Sequence, residues 1–306
     1  MELWRIVKAF IMGPLLEAAV PKPGNVNRFA DFEDLTLYHF IAASTAVLPL
    51  YHEAAKTGEL LRRGLLSPNE ARIGELIRRA VEGSRSVQDA NPNFGVITLS
   101  IPLIMGLSMA RDVAEAREKA RLLLRESTVR DTMELYRAIR AAGPKGLPRG
   151  VKYDVYADGS FRELFADRVN LWKLAEIGCE RELVFCEWLD DYSLSYKTAD
   201  RLMELLGELP FEEAVVRAFV ELMAEREDTL IARKAGHREA ELVREKAGEV
   251  LAGRLKLEEL DAFLRENGDL RNPGSLADVV AVSLSLLALS GLRVAMRDGR
   301  VFGLIG

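Results

Sequence analysis

The 306-residue chain carries 42 Lys and Arg against 47 Asp and Glu, a formal charge of −5, with 49% hydrophobic and 29% charged residues. That length buries a large core, as one domain or two close-packed halves, and the scattered basic residues exclude the positive stripe of a nucleic-acid footprint. No apolar run reaches membrane-spanning length, the nearest being 276–292, which Asp278, Ser283, Ser285, Ser290 and Gly291 interrupt.

The N-terminal Met1-Glu2-Leu3-Trp4-Arg5 has neither a basic n-region nor a cleavage site, so the expected location is cytoplasmic. His39, His52 and His237 lack the paired spacing of a zinc site. Cys179 and Cys186 stand seven apart, two turns of a helix, and read as structural thiols on one apolar face rather than a disulfide framework or metal knuckle.

In chain order, Leu3–Val20 reads as a helix, with Leu3, Ile6, Val7, Phe10, Ile11, Leu15 and Leu16 at helical spacing. It ends at Pro21-Lys22-Pro23-Gly24-Asn25-Val26, where two prolines fix φ and remove donors while Gly24 permits a left-handed backbone. A stiff turn bearing Lys22 and the N–H groups of Gly24 and Asn25 is a candidate anion cradle; it also reads as a proline break with a solvated lysine. Asp31-Phe32-Glu33-Asp34 opens a second helix to about Ala55, its carboxylates either serving the helix N-terminus or binding a divalent cation beside a phosphate. Ser67-Pro68-Asn69-Glu70 is a capping-box pattern that starts a helix to about Val87.

The amide-rich loop Asp89–Gly95 leads into an apolar helix, Val96–Ala110; its asparagines either cap or face a ligand. Helices are expected at Asp112–Leu124 and Ser127–Ala141, and the breaker cluster Gly143–Gly150 marks where a single all-helical domain, 1–306, would divide into two lobes. Val151–Tyr156 alternates like a short strand or extended loop. Helices resume at about Arg168–Cys186, Ser193–Leu206, Phe211–Lys234, Arg238–Ala252 and Glu258–Glu266. Within Phe211–Lys234, Glu221, Glu225 and Asp228 share a face, although charged faces are usually solvated. Ser275 is a natural N-cap for the most apolar helix, with Asp278 its third residue, and Val294–Phe302 around Asp298-Gly299 has a hairpin signature. The chain thus reads as all-α, a large bundle of roughly a dozen helices with a minor C-terminal β-hairpin.

The order of several motifs carries more than any one of them. Pro-Lys-Pro-Gly at 21–24, Phe40 and Ser44 on the following helix, the loop ending near Asn93, Asp228-Thr229 followed by Arg233 and Gly236, and Asn272-Pro273-Gly274-Ser275 with Ala277-Asp278 together resemble the triphosphoribosyl-dephospho-CoA synthase family, over residues 17–290. The resemblance implies a magnesium-dependent transferase that breaks the N-glycosidic bond of ATP, releases adenine and joins the triphosphoribosyl group to the ribose 2′-hydroxyl of dephospho-CoA. An oxocarbenium-like transition state calls for carboxylates, and a triphosphate calls for Mg²⁺ on oxygen ligands and for fixed cations.

Carried onto this sequence, the resemblance implies that Lys22, with Gly24 and Asn25, contacts phosphate. It makes Asp31, Asp34 and Asp228 catalytic carboxylates, and Asp228 and Asp278 ligands for Mg²⁺ that arrives with ATP. Asn91 and Asn93 would orient the nucleotide, and Arg233, Asn272 and Ser275 would complete the substrate cleft. Expected partners are small molecules, ATP and dephospho-CoA, with no nucleic acid or membrane and a homodimer left open. The segment Phe29–Leu35 lacks the family's histidine before Asp-Met, and Asn93-Phe94-Gly95 stands where the family has Asn-Thr-His-Lys-Gly. Two other readings share the scaffold: a nucleotide-binding enzyme performing glycosidic hydrolysis or phosphoryl transfer, and a non-catalytic helical binding protein.

Overall fold

The computed structural model describes residues 2–305, and among them fifteen α-helices account for most of the chain, as expected of an all-α protein. In order these are α1 (Leu3–Ala19), α2 (Leu37–Arg62), α3 (Ile73–Arg85), α4 (Phe94–Met109), α5 (Val113–Arg125), α6 (Val129–Ala142), α7 (Ser160–Ala166), α8 (Leu171–Gly178), α9 (Leu183–Leu189), α10 (Ser193–Leu206), α11 (Phe211–Glu225), α12 (Thr229–Ala235), α13 (His237–Leu251), α14 (Leu257–Arg265) and α15 (Gly274–Leu289). An antiparallel hairpin, β1 (Leu292–Arg297) and β2 (Arg300–Ile305), closes the described chain around Asp298 and Gly299, both at positive φ as its turn requires. No single described helix is long and apolar enough to cross a membrane.

Two compact units divide the chain. The first comprises Met1–Ile11, Ala42–Glu180 and Val184–Tyr192, and includes the Gly143–Gly150 cluster; the second comprises Met12–Ile41, Arg181–Leu183 and Ser193–Gly306. In the first unit α4 is apolar on every side, and its residues from Val96 to Ser108 are all buried, so it serves as the central strut. Its Leu, Ile, Val and Met side chains each contribute about 2 kcal/mol of burial. Gly106 lets α5 approach closely, since a Cβ there would lie 2.3 Å from the Ala116 carbonyl oxygen. Asp131 locks α3 to α6, accepting from Gly74 N at 3.0 Å and, through its other oxygen, from Thr128 N at 2.8 Å in the α6 cap.

In the second unit α15 plays the corresponding part, packed by α10, α11, α12 and β1. The serines that interrupt its apolar run are satisfied by backbone: Ser283 Oγ reaches Val279 O and Ser195 O, both at 2.8 Å, and Ser285 Oγ reaches Ala281 O at 2.9 Å. Small hydroxyls bonded in this way pass through a core at little cost.

Several sequence expectations are corrected. Asp31–Asp34 does not open α2; residues 27–35 form two tight turns closed by the bridges Asn27↔Ala30 and Phe32↔Leu35, and α2 starts at Leu37, whose N–H donates to Asp31 Oδ1 at 3.1 Å. The Ser67 box closes only a 3₁₀ turn at Pro68–Glu70, and α3 begins after Arg72 at φ 52°. Residues 151–156 hold no strand: Asp154 accepts from Gly150 N and Tyr156 N and winds the segment into turns.

Phe211–Lys234 is two helices, because Arg226 is extended and Asp228 caps the second, so Asp228 leaves the Glu221–Glu225 face. Cys179 and Cys186 form a disulfide, contrary to the two-turn reading. On one helix their Cα atoms would lie about 10 Å apart; because α8 ends at Gly178 and α9 begins at Leu183, the chain reverses and brings them to 4.6 Å.

Candidate functional site

In the second unit the turn after α1 meets the loop before α15. Gly24 turns the chain at φ 72°, and a Cβ there would lie 2.7 Å from Leu264 Cδ1, so both backbone and space demand glycine. Its N–H donates to Asp261 Oδ1 at 2.7 Å. Asn25 Nδ2 donates to Asn272 Oδ1 at 2.9 Å, while the Asn25 carbonyl accepts from Asn27 Nδ2 and from the Arg265 guanidinium. Asn25 is 6% exposed, and its Oδ1 has no hydrogen-bond partner. Such an atom costs about 1–3 kcal/mol until a donor reaches it.

Beyond Asn272 the same loop becomes the start of α15, and there one carboxylate caps two helices. Asp228 Oδ1 accepts from Leu230 N at 2.7 Å and Ile231 N at 3.1 Å in α12, and Oδ2 accepts from Leu276 N at 2.9 Å in α15. Ser275 is therefore not the N-cap: α15 begins one residue before it. Its Oγ instead accepts from Thr229 Oγ1 at 2.9 Å and Leu230 N at 3.2 Å, binding the two helix starts together. Asp228 is 1% exposed. Burial pushes its pKa up to about 6, against the three amide hydrogens and Arg233, which pull it down.

Around this junction the cations are paired. Arg233 meets Glu182, whose carboxyl is raised by burial and lowered by Arg233, and Lys234 Nζ lies 2.7 Å from Asp269 Oδ2. Lys22 points into the protein, 1% exposed. Its ammonium donates to Glu17 O at 2.5 Å and Val20 O at 3.3 Å and sits 2.9 Å from Glu17 Oε1. That is neither the solvated lysine nor the open anion cradle expected of the turn.

Residues 3–296 match the family described as CitG, ATP:dephospho-CoA triphosphoribosyl transferase. The chain belongs to this family. The transferase is also similar to a solved structure from Archaeoglobus fulgidus, provisionally assigned as a triphosphoribosyl-dephospho-CoA synthase, at 25% identity and a TM-score of 0.63, covering 80% of this chain and 96% of that one. No curated protein matches it. As its family reaction, the transferase moves the triphosphoribosyl group of ATP to dephospho-CoA.

Within the second unit of the transferase, the expected residues Gly24, Asn25, Asn272, Ser275 and Asp228 fall along one run of contacts, and Arg233 follows on α12, paired with Glu182. Asp31 and Asp34 are exposed on the 27–35 turns, and Asp278 is half-buried one turn into α15. Asn91 and Asn93 belong to the first unit, where Asn93 is 3% exposed, donates Nδ2 to Ser44 Oγ at 3.2 Å and leaves its Oδ1 without a partner. Asp261, Arg265 and Glu182 were missed by the sequence reading. The i,i+4 spacing of Asp261 and Arg265 was visible, but nothing local marked what the pair holds.

A resident Mg²⁺ site does not fit the described residues. Among them no three His, Cys, Asp or Glu side chains converge to hold a metal ion, and Asp228 gives its two oxygens to three amide hydrogens.

Proposed function

We propose that the transferase releases adenine from ATP and joins the triphosphoribosyl group to the ribose 2′-hydroxyl of dephospho-CoA, with the Asn25–Asn272 junction forming part of the substrate surface. The observation that supports this most is the family match across 3–296, which contains the turn at 21–25, Asp228–Arg233 and Asn272–Ser275. Mg²⁺ enters as part of the substrate, chelated by the triphosphate, since this ion commonly takes few protein ligands and several phosphate oxygens. A cytoplasmic location is part of this proposal.

The side chains divide the work by accessibility. Asn25 Oδ1, buried and unpartnered, accepts a hydrogen bond from substrate. Arg233, aligned by Glu182, supplies a fixed positive charge. Asp31 and Asp34 are exposed on the 27–35 turns, where a carboxylate can meet an incoming hydroxyl as general base. Asp228 acts through position, holding α12 and α15 in register rather than touching the reacting atoms.

The test is incubation with ATP and Mg²⁺, with and without dephospho-CoA, following adenine by chromatography. Adenine only with dephospho-CoA is expected. Adenine without it selects a second reading, hydrolysis. No adenine in either arm refutes both.

A further inference from the structure

We propose that Asp261 and Arg265, on the last turns of α14, are positioning residues that set the Asn25 amide for its substrate; this rests on the reading of Asn25 as a substrate contact. An Asp–Arg pair at i,i+4 is ordinarily a surface feature worth a few tenths of a kcal/mol. Here it is directed elsewhere. Asp261 Oδ1 accepts both Gly24 N, at 2.7 Å, and Arg265 Nε, at 2.9 Å, and the other end of the guanidinium donates to the Asn25 carbonyl.

The two residues thus grip the Gly24–Asn25 segment at both ends, its first N–H and its last C=O. The grip matters because Gly24 sits at φ 72° and, lacking a side chain, has the softest backbone available. With Gly24 N and Asn25 O held, the Cα–Cβ direction of Asn25 is set, and Asn272 then takes Nδ2 at 2.9 Å. One polar atom is left over, Oδ1, buried and without a donor. The Arg265 side chain is itself only 19% exposed and lies over the Phe32 ring at 5.2 Å, so the clamp is packed as well as hydrogen-bonded. A neutral acceptor held this way takes an N–H or O–H donor of the substrate, an amine or a hydroxyl, and disfavours a phosphate oxygen.

The test measures KM and kcat separately for ATP and dephospho-CoA in Asn25→Ala, Asp261→Asn, Arg265→Met and the double variant Asp261→Asn/Asn25→Ala, with Tm as the check on folding. Asn25→Ala is expected to raise one KM about tenfold, the loss of one hydrogen bond of about 1.4 kcal/mol, and the affected KM identifies which substrate carries the donor. Asp261→Asn and Arg265→Met are expected to raise the same KM about three- to tenfold, with kcat within about twofold. In the Asn25→Ala background Asp261→Asn should change KM no further. Arg265→Lys, which keeps the charge but loses the fork, should recover part of the effect.

If Asp261→Asn and Arg265→Met lower Tm but leave both KM values unchanged, or if the Asp261 and Asn25 effects multiply, the pair is a structural tie and the inference is overturned. If Asn25→Ala itself changes neither KM, the substrate reading of Asn25 fails first, a result separable from the failure of the clamp.

Discussion

Two carboxylates buried in the second unit are stabilised by different means. Glu17, 5% exposed near the end of α1, has a full countercharge in Lys22 five residues on. Asp228, 1% exposed, is held chiefly by three backbone N–H groups at the starts of α12 and α15. Burial raises both pKa values; the ammonium opposes it in the first case, the amides in the second. The first arrangement ties a turn to its own helix. The second ties two helices whose starts lie far apart in sequence, which a single point charge on a flexible stem would do with less directional control.

The largest effect expected from breaking this comparison is at Lys22. Lys22→Met leaves Glu17 buried without its countercharge and should cost about 3–5 kcal/mol in urea unfolding, most of it restored in Glu17→Gln/Lys22→Met. A loss below about 1 kcal/mol would mean that Glu17 does not depend on the ammonium.

The next effect is on pH dependence. Because the folded pKa of Asp228 is raised from 3.8 to about 6, its stabilising contribution is complete below about pH 4 and is lost as pH rises through 6. The loss is about 3 kcal/mol by linkage. Glu17 shifts in the same direction, so the difference between the parent chain and Asp228→Asn, unfolded at several pH values from 4 to 7, isolates Asp228. Parallel curves would refute the assignment.

A half-buried carboxylate sharpens the contrast. Glu182 lies on the segment closed by Cys179–Cys186 and pairs with Arg233, while its neighbour Leu183 N donates to Thr229 Oγ1 at 3.1 Å. Reduction by a dithiol, or Cys179→Ser, should cost about 2 kcal/mol for so short a loop, read as a lowered Tm that the reductant no longer changes in the variant.

Glu182→Gln should have the smallest effect, about 1 kcal/mol. Its pair is 14% and 26% exposed against 0% and 6% for Lys22 and Glu17, so solvent screens it more. A cost exceeding that of Lys22→Met would overturn the ranking by burial.

Much of the fold was legible in the sequence because its signals are local. Apolar spacing located α1, α4, α10 and α15 within a few residues, and Asp298-Gly299 located the hairpin. The site was half legible. Motif order picked out Gly24, Asn25, Asp228, Ser275 and Asn272, which the fold does join. The jobs assigned to Lys22 and Ser275 were wrong in kind: a lysine on a proline turn looks solvated until Glu17 is seen behind it, and Ser275 looks like a cap until Asp228 is found filling that place. The break at Arg226–Asp228 was hidden because charged residues continue the helical pattern on either side of it.

By itself, the sequence determined the helical class, the proline stop after α1, the glycine at 24, the hairpin and the family. These depend on backbone sterics, hydrophobic period and residue order, which neighbours along the chain settle. Only the tertiary structure decided that Cys179 pairs with Cys186, that Asp228 serves two helix starts, that Lys22 turns inward, and that Asp261 and Arg265 grip the Gly24–Asn25 segment. Each is a choice of partner for a polar group leaving water, and that choice depends on which donor or acceptor the packed core brings within about 3 Å.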